Sequence, residues 1–185
     1  MVMKSEIEEA IKNKDDFVKI NYLMRFLRNA DNIETRKFIL LKLAGINESR
    51  GMFREAARNV CSAADLSVTF REKIEFYMKE AEFYIKLGEF IFADKAFQKA
   101  YSYGNAQEKM EMKAQYREIY RMQAKIAEQQ NKQRKAVEIY EKLYSIPQEE
   151  SKRIEVKEKL IEIYEKLGRL AEARRLKNST SQKIA

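Results

Sequence analysis

The chain has 185 residues, enough for one domain with a sizeable core, and 37 basic against 29 acidic side chains give it a net charge of +8. One proline and five glycines are too few to punctuate a β-sandwich or a loop-rich α/β enzyme, and Lys, Glu, Ala, Ile, Leu, Met and Arg, good helix formers, dominate. Histidine is absent and Cys61 is the single cysteine, which excludes histidine acid–base chemistry, a Cys/His zinc cluster and an intrachain disulfide.

The first residues, "MVMKSEIEEA", are charged within four positions and lack the apolar run of a signal peptide. The longest apolar stretches, such as "FILL" (38–41), fall far short of the roughly 20 residues a membrane span needs. With a lone thiol, these features point to a reducing cytoplasm. Residues 1–33 read as a helical lead-in, broken near "NKDD" (13–16), where Asp15 or Asp16 can cap a new helix. The helix that follows carries Phe17, Val18, Ile20, Tyr22, Leu23, Met24, Phe26 and Leu27 around nearly its whole circumference, so both sides need cover. One side packs on the next hairpin. The other meets the short helix before it or, through Phe17, Ile20, Leu23, Met24 and Leu27, forms a self-association surface.

From residue 34 onward one unit recurs. In the stretch 74–100, Tyr77, Ala81 and Tyr84 precede Gly88 at i, i+4 and i+7, and Phe90, Ala93, Phe97 and Ala100 follow it at a second helical spacing. Gly88 between them is a helix stop, able to take φ > 0 and satisfy the last carbonyls. The same arrangement stands around Gly51 (Leu40, Ala44 and Asn47, then Phe53, Ala56, Val60 and Ala63). It returns around Asn131 (Tyr120, Ala124 and Ala127, then Ala136, Tyr140 and Leu143) and around Gly168 (Lys157, Ile161 and Tyr164, then Leu170 and Ala173). The anchors lie 37, 43 and 37 residues apart. The spacing predicts hairpins over about 34–66, 69–103, 106–146 and 149–178, with residues 179–185 as a frayed tail. A hairpin cannot bury its apolar face alone, so neighbours must stack, and the alanines and tyrosines belong to the core. Cys61, in "ARNVCSAAD", suits a packing face, with no activating neighbour in view.

The order of large residue, small residue and tyrosine on the first helix, then alanine, aromatic and alanine on the second, resembles the tetratricopeptide repeat over residues 37 to 178. The spacing exceeds the family's usual period of about 34 residues and is similar to the longer-helix variants of SNAP-like adaptors. The family's first-helix Trp is replaced by Leu, Tyr or Lys, and its closing proline appears once, displaced, as Pro147. The resemblance implies an all-α, right-handed helical-hairpin solenoid of about four repeats, with first helices lining a concave groove and second helices forming the back. Carried over by position, the groove shows Glu75, Met78, Glu82 and Ile85 on one helix and Glu118, Arg121, Lys125 and Glu128 on the next. Glu155, Glu158, Glu162 and Glu165 follow on the third. The Lys/Asn/Arg set by which some members clamp a C-terminal carboxylate is missing from these positions.

Two functions follow. The first is a non-catalytic scaffold that holds an extended or helical, basic segment of a partner protein, with Met78 and Ile85 for apolar contact and the glutamates for charge. The second is RNA or anionic-surface binding through a basic back of Lys132, Arg134, Lys135, Lys142, Arg169, Arg174 and Arg175. The same cations serve equally as solvated faces, and the tyrosines sit at packing positions rather than as stacking platforms. A membrane-adaptor role rests only on the repeat spacing. No Gly-rich phosphate loop or metal-ligand spacing is present, and the sequence calls for no cofactor and no catalytic residue.

Overall fold

A computed structural model describes residues 4–178 and contains ten α-helices and no strand among them. They are α1 (Lys4–Ile11), α2 (Asp16–Asn29), α3 (Ile33–Ser49), α4 (Phe53–Leu66), α5 (Phe70–Leu87), α6 (Phe90–Tyr103), α7 (Ala106–Gln129), α8 (Gln133–Ser145), α9 (Glu150–Lys166) and α10 (Leu170–Asn178). The fold is all-α and made of successive helical hairpins. The tail at 179–185 lies outside the described residues. The chain forms two compact units, one ending at Met112 and one beginning at Lys113.

Local chemistry sets the helix ends. Asp15 caps α2, its Oδ1 accepting from the Phe17 and Val18 amides at 3.0 and 3.1 Å. Asn32 caps α3 through the Thr35 amide at 2.7 Å, and Thr69 caps α5. Asn105 and Glu108 form a reciprocal capping box at the start of α7: each side chain accepts from the other's amide, at 2.9 and 2.8 Å.

The four anchors share one geometry. Gly51, Gly88, Asn131 and Gly168 have φ of 72°, 82°, 55° and 71°. In each, the anchor amide bonds the carbonyl three residues back (Glu48, Ile85, Glu128, Glu165). The following amide bonds the carbonyl five back (Asn47, Tyr84, Ala127, Tyr164). This is the Schellman closure, built four times. Asn131 is the one anchor with a side chain in the left-handed region. Replacing it with glycine should therefore raise the urea midpoint of the second unit, whereas Gly88→Ala should cost the first unit about 1 kcal/mol.

In the first unit, α1 folds back so that Ile7, Ile11 and Leu23 join Ala30, Ile39 and Leu43 in one buried cluster. A second cluster is made by Ala44, Ala56, Ala57, Val60 and Phe83, with Phe53, Phe76 and Tyr84 against it. The paired alanines Ala44/Ala56 and Ala81/Ala93 are buried, which lets the helices of each hairpin come close. In the second unit Ala124, Ala127, Ala136, Val137, Tyr140 and Leu143 are buried on α7 and α8. Val156, Leu160, Ile163, Tyr164 and Ala173 are buried on α9 and α10.

The proposed self-association face of α2 is corrected in part. Leu23 is 0 % exposed because α1 covers it, and Ile20 and Leu27 pack against the same cluster. Phe17 and Met24 are exposed, but the Arg50 guanidinium lies over the Phe17 ring at 3.8 Å.

A candidate binding cleft

Within the second unit, α7, α8 and α9 enclose a cleft of about 650 Å³. Arg121, Lys125, Glu128 and Gln129 of α7 face it at helical spacing, Tyr140 of α8 contributes, and Glu155, Val156, Glu158, Lys159 and Glu162 of α9 form the other wall. Ala124, Ala127, Leu160 and Ile163 of the same two helices are buried in the core beside these polar stripes.

Most charges of the cleft are held by partners. Arg121 donates to Gln148 Oε1 at 2.7 Å and lies 3.5 Å from Glu118, while Gln148 Nε2 donates to the Leu143 carbonyl at 3.1 Å. Tyr140 donates its hydroxyl proton to Glu128, and burial of the ring, followed by that carboxylate, pushes the phenol up. Lys159 spans the cleft, 2.9 Å from Glu162 and 3.8 Å from Glu128. Glu162 accepts from Lys159 and from Lys166 at 2.6 Å, and these two ammonium groups pull its carboxyl down to about 2. Glu155, Glu158 and Lys125 are exposed and make no ion pair among the described residues.

Of the groove residues expected from the sequence, Arg121, Lys125, Glu155, Glu158 and Glu162 line this one cleft, and Glu128 stands with them. Glu118 lies beside it as the partner of Arg121. Gln129, Tyr140, Val156 and Lys159 were not expected. Tyr140 reads as core from its spacing, and Lys159 lies one residue off the glutamate stripe, so neither announces itself.

Met78 and Ile85 of the first unit are corrected. They are 3 % and 0 % exposed and cannot touch a partner. The reason is that α5 packs against α4 on one side and α6 on the other. Only a narrow strip is left, on which Glu75, Lys79, Glu82 and Lys86 recur at i, i+4, i+7 and i+11. On that strip Glu82 pairs with Lys79 at 3.2 Å and Lys86 at 2.7 Å, and Glu48 of α3 lies 3.0 Å from both lysines. Glu82 is therefore neutralised from within, whereas Glu75 is exposed.

The cations of the basic back are unequal. Arg169 is held by Glu172 at 2.8 Å and by Glu141 at 3.6 Å, and stacks on Tyr164 at 4.6 Å. Lys132 donates to Gln130. Lys135 is half-buried, and burial followed by Lys132 repulsion holds its ammonium below the usual lysine range. Lys142 is half-buried as well, while Arg134, Arg174 and Arg175 are exposed. Arg134 and Arg169 line a shallow hollow of about 290 Å³ with Glu138 and Leu167. No aromatic side chain is exposed among the described residues of this unit.

No family model and no curated protein matches the chain. Among solved structures it is similar to one titled "Crystal structure of MamA", with 21 % identity over 95 % of this chain and 91 % of that one and a TM-score of 0.43.

Proposed function

We propose that the protein is a non-catalytic interaction scaffold that holds a segment of a partner protein in the α7–α9 cleft. The observation that carries this reading is the contrast within the cleft. Its other acidic charges are neutralised by the chain itself, while Glu155 and Glu158 on one wall and Lys125 on the other are left for a ligand. The volume suits a few side chains of an extended or helical segment rather than a whole domain. A lysine or arginine of that segment meets Glu155 and Glu158, and an acidic or amide group meets Lys125. No described helix is long and apolar enough to cross a membrane.

The test is photo-cross-linking in cells from positions 125 and 158, with position 174 on the basic back as control, followed by sequencing of the attached peptides. Discrete peptides carrying basic residues should attach at 125 and 158 and survive nuclease. Reversing Glu155 and Glu158 together to lysine should weaken binding of the recovered peptide by about tenfold or more, whereas Glu82→Lys should leave it unchanged. If capture runs instead through position 174, vanishes with nuclease and falls steeply with salt, the basic back is the site and the cleft reading fails.

A further inference from the structure

Three successive helices of the first unit meet at a thiol that the binding cleft does not use. Cys61 is half-buried on α4, and Lys99 of α6 brings its Nζ to 3.7 Å from the Sγ. Glu80 of α5, 6 % exposed, acts electrostatically on the same thiol and keeps its Oε2 without a partner. Tyr77 completes the surroundings: its ring lies under the Lys99 ammonium at 5.1 Å, and its hydroxyl donates to Asp65 at 2.6 Å.

A nitrogen stands just outside the roughly 3–3.5 Å of a near-attack contact with sulfur, and a buried carboxyl beside them has an oxygen free to take a proton. We propose that Cys61 and Lys99 form an oxidative cross-link, a sulfur–nitrogen bond that ties α4 to α6 after the thiol meets a peroxide. In the first step the Cys61 sulfur attacks hydrogen peroxide. An S–O bond forms, the O–O bond breaks, and the thiol proton leaves with hydroxide as water; sulfur gives up two electrons and the peroxide is reduced. In the second step the Lys99 ammonium passes one proton to Glu80 Oε2, and its nitrogen pair forms the bond to sulfur. The S–O bond breaks, and the departing hydroxyl takes the second ammonium proton as water. A thiol reductant attacks the sulfur and returns the amine.

Burial, reinforced by Glu80 and Asp65 and opposed by Lys99, pushes the Cys61 thiol up to about 11, so the first step is slow near neutrality and quickens with pH. The charged and titratable groups facing it are Asp65 on α4 itself, Glu80, Tyr77 and Tyr84 on α5, and Lys99 on α6. The bond joins residues in two successive hairpins and thereby stiffens the first unit.

The test is treatment of the full chain with hydrogen peroxide at about pH 7 and about pH 9, then trypsin and mass spectrometry. The expected product joins residues 59–71 to residues 96–109, uncut at Lys99, lighter by two hydrogens than its two parts, and absent after reduction. It should form faster at the higher pH and more slowly in Glu80→Gln. Lys99→Arg keeps the charge at an exposed position and so keeps the fold; it should give no cross-link and should let Cys61 proceed to the sulfinic acid. Wild-type protein that yields the sulfinic acid as fully as Lys99→Arg, or a thiol that stays unmodified throughout, overturns the proposal.

Discussion

Truncating Phe83 to alanine lowers the stability of the first unit by about 3–5 kcal/mol, as removal of a fully enclosed phenylalanine does when the neighbours cannot close the gap. The ring is 1 % exposed and packs among Ala44, Ala56, Ala57 and Val60, which have no longer atoms to move into the space. It stacks on Phe53 at 6.1 Å. The ring also meets charge: the Lys79 and Lys86 ammonium groups stand 5.0 and 5.3 Å from its centre while they pair with Glu48 and Glu82. Loss of the ring therefore removes a core residue and the floor beneath a four-charge network. Phe92, half exposed and touching Tyr84 at 5.4 Å, is the control; Phe92→Ala should cost about 1 kcal/mol or less. Urea unfolding followed by tyrosine fluorescence and by circular dichroism checks both, and two probes are needed because two units can melt separately. A Phe83→Ala cost no larger than that of Phe92→Ala would mean that the ring is not the keystone of this cluster.

What the sequence made legible was local. A left-handed residue at a helix end accepts few residue types, so Gly51, Gly88, Asn131 and Gly168 mark the hairpin bends without any knowledge of packing. Small residues at close contacts are similarly restricted, and Ala44, Ala81, Ala124 and Ala136 stand out for that reason. The stripe on α9 that carries Glu155, Glu158 and Glu162 follows from helical spacing alone, and so does that of Arg121 and Lys125 on α7.

What stayed hidden depends on neighbours that are distant in sequence. Periodicity shows which residues share a face of α5 but not that α4 and α6 cover it from two sides, and so Met78 and Ile85 looked accessible. Charge pairing across hairpins is equally silent. Glu48 meets Lys79 and Lys86 from positions 31 and 38 residues away, and buried Lys37 bonds Glu72 from 35 residues away. Counting glutamates along α5 and α9 overstated the acidity offered to a partner, because Glu82 and Glu162 were already satisfied. In the sequence Glu80 is one charge among several along α5. Only the structure shows that it is a buried acid.

Replacing Glu80 with glutamine should stabilise the first unit by about 1–3 kcal/mol at pH near 8, and the gain should fade toward zero as pH drops to about 4. The carboxyl is enclosed by α4 and α6, and its Oε2 finds no donor. Burial raises its proton affinity above the ordinary carboxylate value of 4.5; the Lys99 charge and the Cys61 thiol oppose this and Asp65 adds to it, with burial the largest influence. The sign follows from proton counting. Between the unfolded and the raised folded pKa, the folded chain binds more protons than the unfolded one, so stability falls as pH rises through that window. Below the window both forms are neutral, and glutamic acid costs no more than glutamine. Above it, the folded wild type carries a buried charge that glutamine lacks. Urea unfolding of both proteins at several pH values measures the difference directly. Equal stabilities at every pH would mean that the carboxylate is solvated or paired in the folded chain. A wild type that outlasts Glu80→Gln above the window would mean that Lys99 holds the charge strongly enough to reverse the burial penalty.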